Sequence, residues 1–295
     1  MDEQELKNLI RTVLRAAIDE EGAVAGGPTG GLAGPAADNS ATAGCPAGLD
    51  VCGPPGLGLA DPADKAGYLA LQQATTARIG VGRAGPRLPV KAWLRFRADH
   101  AAAMDAVFTD VSADVIKSCG LFEVSSAAPD KASFLMDPAL GRSLGDETAA
   151  ALKKHCKAGA QVQIVVSDGL SSTAVENNIP DLLPALRQGL ERHGLTCGTP
   201  IFVKFGRVRV MDEVTAALGG DVTVILIGER PGLVTNASLS CYMTYKGRPG
   251  MPESGRTVLS NIYDEGTPPA EAGAYIADIA AKMVSEKASG LDLKL

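Results

Sequence analysis

From Gln161 onward, short β-branched and aliphatic runs alternate with segments of helical periodicity, and that alternation leaves few folds open. Gln161–Val166, Thr199–Phe205 and Val222–Ile227 read as strands. Thr173–His193 reads as a helix that Pro180 and Pro184 must break or delay, and Asp212–Leu218 as a short one. Ser240–Tyr245 and Thr257–Ile262 read as further strands. Pro268–Ala288 is a closing helix with two prolines in its first turn and Gly290 past its end. Strands separated by helices imply a mostly parallel sheet covered on both faces: an α/β, Rossmann-like fold with flanking helices. Phe202–Val210 reads as an odd strand interrupted at Gly206-Arg207, where glycine marks a bulge or a close approach of backbone to ligand.

The first 150 residues differ. Residues 1–21 carry Leu6, Leu9, Ile10, Val13, Leu14, Ala17 and Ile18 at helical spacing, a single apolar stripe. Residues 22–62, rich in Gly, Ala and Pro, have almost nothing to bury and read as a flexible linker, so the N-terminal extension is expected to be disordered around its helix. That helix either docks on its own domain or offers its stripe to another protein. Residues 63–150 form a helical, partner-packing region, with helices at Asp64–Arg78, Val90–Val107 and Asp146–Lys157 and short strands at 121–125 and 133–136. Residues 151–295 form the sheet domain.

Composition excludes several classes. A net charge of -6 offers no basic face for nucleic acid, and aromatic residues at 4% offer no stacking platform. The longest apolar runs are far short of the about 20 residues that cross a membrane, and the acidic N-terminus is no secretory signal. Six cysteines without a CxxC pair resemble neither a disulfide framework nor a structural zinc site. A reducing, cytosolic setting follows.

In a parallel sheet, ligands sit outside the carboxyl ends of the strands. Three loops lie there: Ser167–Ser171, Gly228–Gly232 and Ser260-Asn261. Glu229 and Arg230 follow the most hydrophobic strand. They form either a surface ion pair of little energetic value or a ligand contact at the mouth of the crevice, Glu229 accepting hydrogen bonds and Arg230 clamping a carboxylate. Gly80-x-Gly82-x-x-Gly85 matches a dinucleotide fingerprint in letters only, since no strand precedes it and Pro86 and Pro89 follow at once. A nucleotide-binding reductase built on it is one alternative; a non-enzymatic assembly adaptor is another. Arg78, Arg83 and Arg87 around those glycines are either a cationic grip or a solvated loop. Ser167-Asp168 lacks a GxSxG context and a histidine partner, so Asp168 reads as an acid satisfying amides at a helix N-terminus. No catalytic residue and no metal ligand is assigned; His155-Cys156 are helix neighbours that do not face each other.

The stretches "ARIGVGRAGPR" (77–87), "RFRADHAAAMD" (95–105), "VVSDGLSS" (165–172), "KFGRVRV" (204–210), "LIGERPGL" (226–233), "SLSCY" (238–242), "SNIYDEGTPP" (260–269) and "EKASGLDL" (286–293) together resemble the small (light) subunit of ethanolamine ammonia-lyase, over about four-fifths of the chain. The resemblance implies an adenosylcobalamin-dependent bacterial lyase that converts ethanolamine to acetaldehyde and ammonia. In it a TIM-barrel large subunit holds the substrate and the small subunit covers the cobalamin, within a hetero-oligomer. It also implies that residues 1–21 resemble the docking helices that load enzymes, as cargo or onto the shell, into an ethanolamine-utilising microcompartment of the bacterial cytoplasm. Carried over to the cofactor site are Val208 beside Gly206, Glu229 as acceptor for corrin amides, and Val258 lining the ring. The family carries cysteine at the position of Val258, so packing or backbone contact is the role left to valine. Arg207, Gly228, Ser260 and Asn261 are their neighbours. The Asp-x-His-x-x-Gly sequence that ligates cobalt in some cobalamin folds is absent, so the cofactor is expected to keep its own benzimidazole base.

Overall fold

A computed structural model describes residues 56–294, which lie in one compact unit. The expected docking helix at 1–21 and the linker up to residue 55 lie outside the described residues. The described helices and strands are, in chain order, α1 (Lys65–Ala74), α2 (Val90–Phe108), α3 (Ala113–Ser118), β1 (Phe122–Ser125), α4 (Lys131–Met136), α5 (Asp146–His155), β2 (Val162–Ser167), α6 (Ser172–Arg192), β3 (Ile201–Lys204), α7 (Val210–Leu218), β4 (Val222–Gly228), β5 (Leu239–Tyr245), β6 (Thr257–Ile262) and α8 (Pro269–Glu286). Among the described residues no helix is long and apolar enough to cross a membrane.

The strands form one sheet in the order β1-β3-β2-β4-β5-β6. The first four run parallel, and β5 and β6 are antiparallel to their neighbours, so the expected mostly parallel α/β sheet is present. β1 belongs to the stretch read as a helical region, and it pairs with β3, so residues 63–150 and 151–295 share one sheet.

Winding decides which helix covers which face. From β2 the chain steps to β3 on one side, then returns past β2 to β4. Crossovers of one hand must put α6 and α7 on opposite faces when the direction reverses. They do. Val162, Ile164 and Val166 of β2 and Val222, Val224 and Leu226 of β4 pack with Ile179, Leu182, Leu186 and Leu190 of α6 and Ile276 and Met283 of α8. Val165, Ile225 and Ile227 point the other way, onto Leu152 of α5 and Val210, Met211 and Val214 of α7. Each fully buried large aliphatic side chain contributes about 1.5–3 kcal/mol. β2 and β4 are buried along their whole length, which fits their near-continuous apolar sequence.

Three local readings change. Residues 133–136, expected as a strand, lie in α4, whose N-cap Asp130 accepts the Ser133 amide at 2.7 Å. The Phe-Leu-Met run there is too short for its period to show. Pro180 and Pro184 do not break α6. Ser171 caps the helix by accepting the Ala174 amide at 3.0 Å, and both prolines lie on the exposed side, where water can satisfy the carbonyls they leave free. The odd strand Phe202–Val210 ends at Lys204: Phe205 takes a left-handed φ of 59°, and the chain turns into α7.

One buried ion pair ties α7 to the antiparallel edge. Arg256, just before β6, donates to both carboxylate oxygens of Asp212 in α7 at 3.0 and 2.7 Å. Both side chains are almost wholly buried. Without Asp212 the buried Arg256 guanidinium would keep only the exposed Glu253, at 2.7 Å from its Nε. Asp212→Ala should therefore lower the unfolding free energy by about 3–5 kcal/mol, measured by urea denaturation; a loss within the range of a surface substitution would show that the pair is not isolated from solvent.

Candidate functional site

The connection leaving β2 runs towards β3, and that leaving β4 runs away to β5. The sheet therefore parts between the carboxyl ends of these two strands, the place where open α/β sheets bind ligands. A cavity of about 380 Å³ opens there. Gly169 and Leu170 follow β2, Arg207 and Val208 follow β3, and Ile227, Gly228, Glu229 and Arg230 end β4. Ser240 and Tyr242 of β5 and Ser260 of β6 close it.

Five of the residues expected from sequence thus converge: Arg207, Val208, Gly228, Glu229 and Ser260. Val258 sits outside the cavity lining, on β6 opposite Tyr242 in the strand register, with 47% of its surface exposed. Asn261 takes a left-handed φ of 59° and donates its amide to Glu229 Oε1 at 3.4 Å. Sequence reasoning missed Tyr242, Ser240 and Ile227, and named Leu170 only within the Ser167–Ser171 loop. The signal for the first two was the alternation along β5. Leu239, Cys241 and Met243 enter the α6–α8 core, which turns Ser240 and Tyr242 to the other face.

That other face has a boundary. Helices α5 and α7 cover it over β3, β2 and β4. Beyond β4, Tyr242 is half-buried while Val258 and Ser260 are exposed, so the sheet presents an uncovered strip continuous with the cavity.

Glu229 organises the polar side. Ser238 Oγ donates to its Oε2 at 3.0 Å, and Ser240 Oγ donates to its Oε1. With the Asn261 amide these make three donors. A carboxylate has about four lone-pair sites, so one on Oε2 stays available. The single proton of Ser240 goes to Glu229. Ser260 Oγ, 2.9 Å from Ser240 Oγ, then donates to it and keeps lone pairs for another donor. Burial, reinforced by the charges of Glu229 and Glu253, pushes the Tyr242 phenol up, so it remains a neutral donor. Glu229 therefore does not pair with Arg230, and among the described residues no carboxylate pairs with Arg230.

The loops are held from behind. A Cβ on Gly228 would collide with the backbone oxygens of Asp168 and Ser171, so only glycine lets the β2 loop lie against β4. Phe205, in its left-handed conformation, is fixed at both ends. Its amide donates to Asp168 Oδ1 at 2.7 Å, and its carbonyl accepts from Ser126 Oγ at 2.8 Å. Asp168 is thus a brace for the Gly206–Val208 turn, and Ser171, not Asp168, caps α6. Burial pushes the Asp168 carboxyl up; Lys131 Nζ, 3.5 Å from Oδ2, opposes that shift. The loop after Glu229 is pinned by Ser171 Oγ to the Asn236 carbonyl (2.6 Å), Asn178 Nδ2 to the Ala237 carbonyl (2.7 Å) and Arg78 Nη2 to the Leu233 carbonyl (2.6 Å). Arg78 also pairs with Asp99 at 2.8 Å, so it is structural rather than a ligand grip. Gly80, Gly82 and Gly85 all have positive φ in a turn-rich loop that neither follows a strand nor opens a helix, which removes the dinucleotide reading.

Asp168→Ala would leave the Phe205 amide unpaired in the interior and is expected to cost about 1–3 kcal/mol of stability. Asp168→Asn keeps an acceptor and should cost less. Denaturant titration of both variants checks this; equal losses would assign the effect to the charge facing Lys131 instead.

The family model for ethanolamine ammonia-lyase light chain (EutC) matches residues 65–294. The ethanolamine ammonia-lyase small subunit of Clostridium tetani is 54% identical over 235 residues, covering 80% of each chain. That of Listeria monocytogenes (strain EGD-e) is 50% identical, over 79% of this chain and 80% of its own. The Fusobacterium nucleatum protein of the same name is 51% identical over 80% of both.

Proposed function

The chain belongs to the ethanolamine ammonia-lyase light-chain family, and on that premise we propose that it is the small subunit of a bacterial lyase that deaminates ethanolamine to acetaldehyde and ammonia, enclosing adenosylcobalamin together with a large subunit. The observation that carries this reading is the uncovered strip of sheet, Tyr242, Val258 and Ser260, running into the cavity beside Glu229 and the buried Ser240. Corrin is a broad, mostly apolar ring fringed by amides. Its receptor needs apolar surface and a few well-placed donors and acceptors.

The residues fit that group. Val208, Ile227, Leu170 and Val258 supply apolar contact, Glu229 Oε2 and Ser260 Oγ accept from amides, and Tyr242 donates. When bound, adenosylcobalamin supplies the radical chemistry. This chain orients the ring and excludes water from it. Its cavity is small for a whole corrin, which is why the remainder needs the partner. Covering about 200 Å² of apolar ring is worth roughly 5 kcal/mol at about 25 cal/mol per Å², and ordering costs reduce that. The small subunit alone should hold cobalamin poorly.

A partner surface is at hand. Val90, Trp93, Leu94, Met104 and Phe108 repeat at helical spacing along α2 and are all exposed. Asn236 Nδ2, in the loop after Glu229, donates to the Ala102 carbonyl of α2 at 3.2 Å, so the helix that carries this stripe runs beside the cofactor edge. We assign it to the large subunit, and residues 1–21 to docking within an ethanolamine-utilising microcompartment.

Glu229→Ala removes the acceptor that gathers three donors. Cobalamin retention by the reconstituted two-subunit complex should weaken by about 1–3 kcal/mol, and unchanged affinity in a titration would reject Glu229 as part of the site. Trp93→Glu, on an exposed position, should leave the fold intact and reduce co-purification with the large subunit; normal assembly would move the interface elsewhere.

A further inference from the structure

Two arginines line the cavity, and a third stands beside the turn that holds one of them. Arg207 and Arg230 line it, and Arg142 follows Gly141, whose carbonyl accepts the Arg207 amide at 2.6 Å. Among the described residues, carboxylates pair with Arg78, Arg95, Arg209 and Arg256, and with none of these three. Glu229 lines the same cavity, but its oxygens take serine hydroxyls and an amide.

Arg207 is the most constrained of the three. Its guanidinium carbon lies 4.2 Å from the centre of the Phe134 ring, and Nη2 donates to the Phe134 carbonyl at 3.3 Å. Nε is buried and has no hydrogen-bond partner. A buried, unpaired donor on a charged group is costly. Burial, with the like charges of Arg142 and Arg230, pulls the guanidinium below its ordinary range, while Asp168 opposes the shift. The three arginines outnumber the two nearby carboxylates, Glu229 and Asp168, and Asp168 already faces Lys131, so the local balance is positive on a chain whose net charge is -6. Neutral corrin amides do not call for three guanidinium groups. An anion with several acceptor oxygens does, and phosphate matches the arginine fork.

We propose that Arg142, Arg207 and Arg230 form a phosphate-binding subsite that takes the phosphodiester of the cobalamin nucleotide tail. The inference rests on the cobalamin reading of the cavity and adds an orientation: the tail lies towards the Gly141–Arg142 and Arg207 turns, and the ring towards Tyr242 and Val258. Guanidinium–phosphate bonds are charge-assisted and geometrically specific, so they fix the rotation of a flat ring that apolar contact alone leaves free.

The test removes the group from each side in turn. The co-purified two-subunit complex is titrated with cobalamin, with cobinamide phosphate and with cobinamide, which lacks the phosphate. The complexes compared are the wild type, Arg230→Gln, Arg142→Gln and the conservative Arg230→Lys. The Gln variants are expected to weaken cobalamin and cobinamide phosphate about tenfold or more and to leave cobinamide unchanged, with Arg230→Lys intermediate. Equal weakening of all three corrinoids, or of none, would overturn the subsite. So would wild-type complex that binds all three equally well. Gln variants that no longer assemble would assign the arginines to a carboxylate of the large subunit, and overturn it too. Wild-type complex that binds none of the three would instead bring down the cobalamin reading, and this inference with it.

Discussion

A six-stranded sheet needs helices on both faces, and here the second layer ends early. α6 and α8 span the first face from β2 to β6, while α5 and α7 cover only the parallel strands of the second. The reversal of winding at β2 sets this limit. Once the chain has placed one helix on each face, the two antiparallel strands are added by hairpins, and hairpins bring no helix with them. An apolar and hydroxyl-bearing strip is left facing outward next to the place where the sheet parts. The cavity and the strip both follow from that shortage of cover.

Rigid support behind the loops makes the opening usable. Five backbone carbonyls or amides around the cavity are held by side chains rather than by regular ladders: Phe205 by Asp168 and Ser126, Asn236 by Ser171, Ala237 by Asn178 and Leu233 by Arg78. Each bond is worth about 1 kcal/mol net, but the cost of leaving any one of these groups unpaired is larger. A left-handed Phe205 and a left-handed Asn261 persist under such bracing, and strain of this kind concentrates at functional sites. The Arg256–Asp212 pair does the same at a larger scale, fixing the antiparallel edge to α7 across 44 residues of chain.

Much of this was legible in the sequence. The greasy run Val222–Ile227 ending in Gly-Glu-Arg placed Glu229 at a strand mouth, because a strand buried on both faces has to be central. The loops after β2 and β4 were found by the same logic, whereas Ser260 and Asn261, read as a loop, lie within β6. What escaped depended on pairing rather than period. Tyr242 was hidden because alternation along β5 separates its two faces but does not say which of them is left uncovered, and α4 because six residues carry too little periodicity. The prolines of α6 misled because their cost depends on whether they face the core or water. The role of Asp168 was misread because its partner, the Phe205 amide, lies 37 residues away and is visible only once β2 and β3 are adjacent. The resemblance supplied Val208 and Val258, which no spacing argument would have singled out.

The central claim is that this chain closes over a macrocycle with the uncovered edge of its own sheet. A density map of the cofactor-loaded two-subunit complex tests it most directly. The account predicts corrin density lying against Tyr242, Val258 and Ser260, within hydrogen-bond reach of Glu229 or Ser260. A map in which large-subunit side chains cover that strip and the corrin lies elsewhere would contradict it.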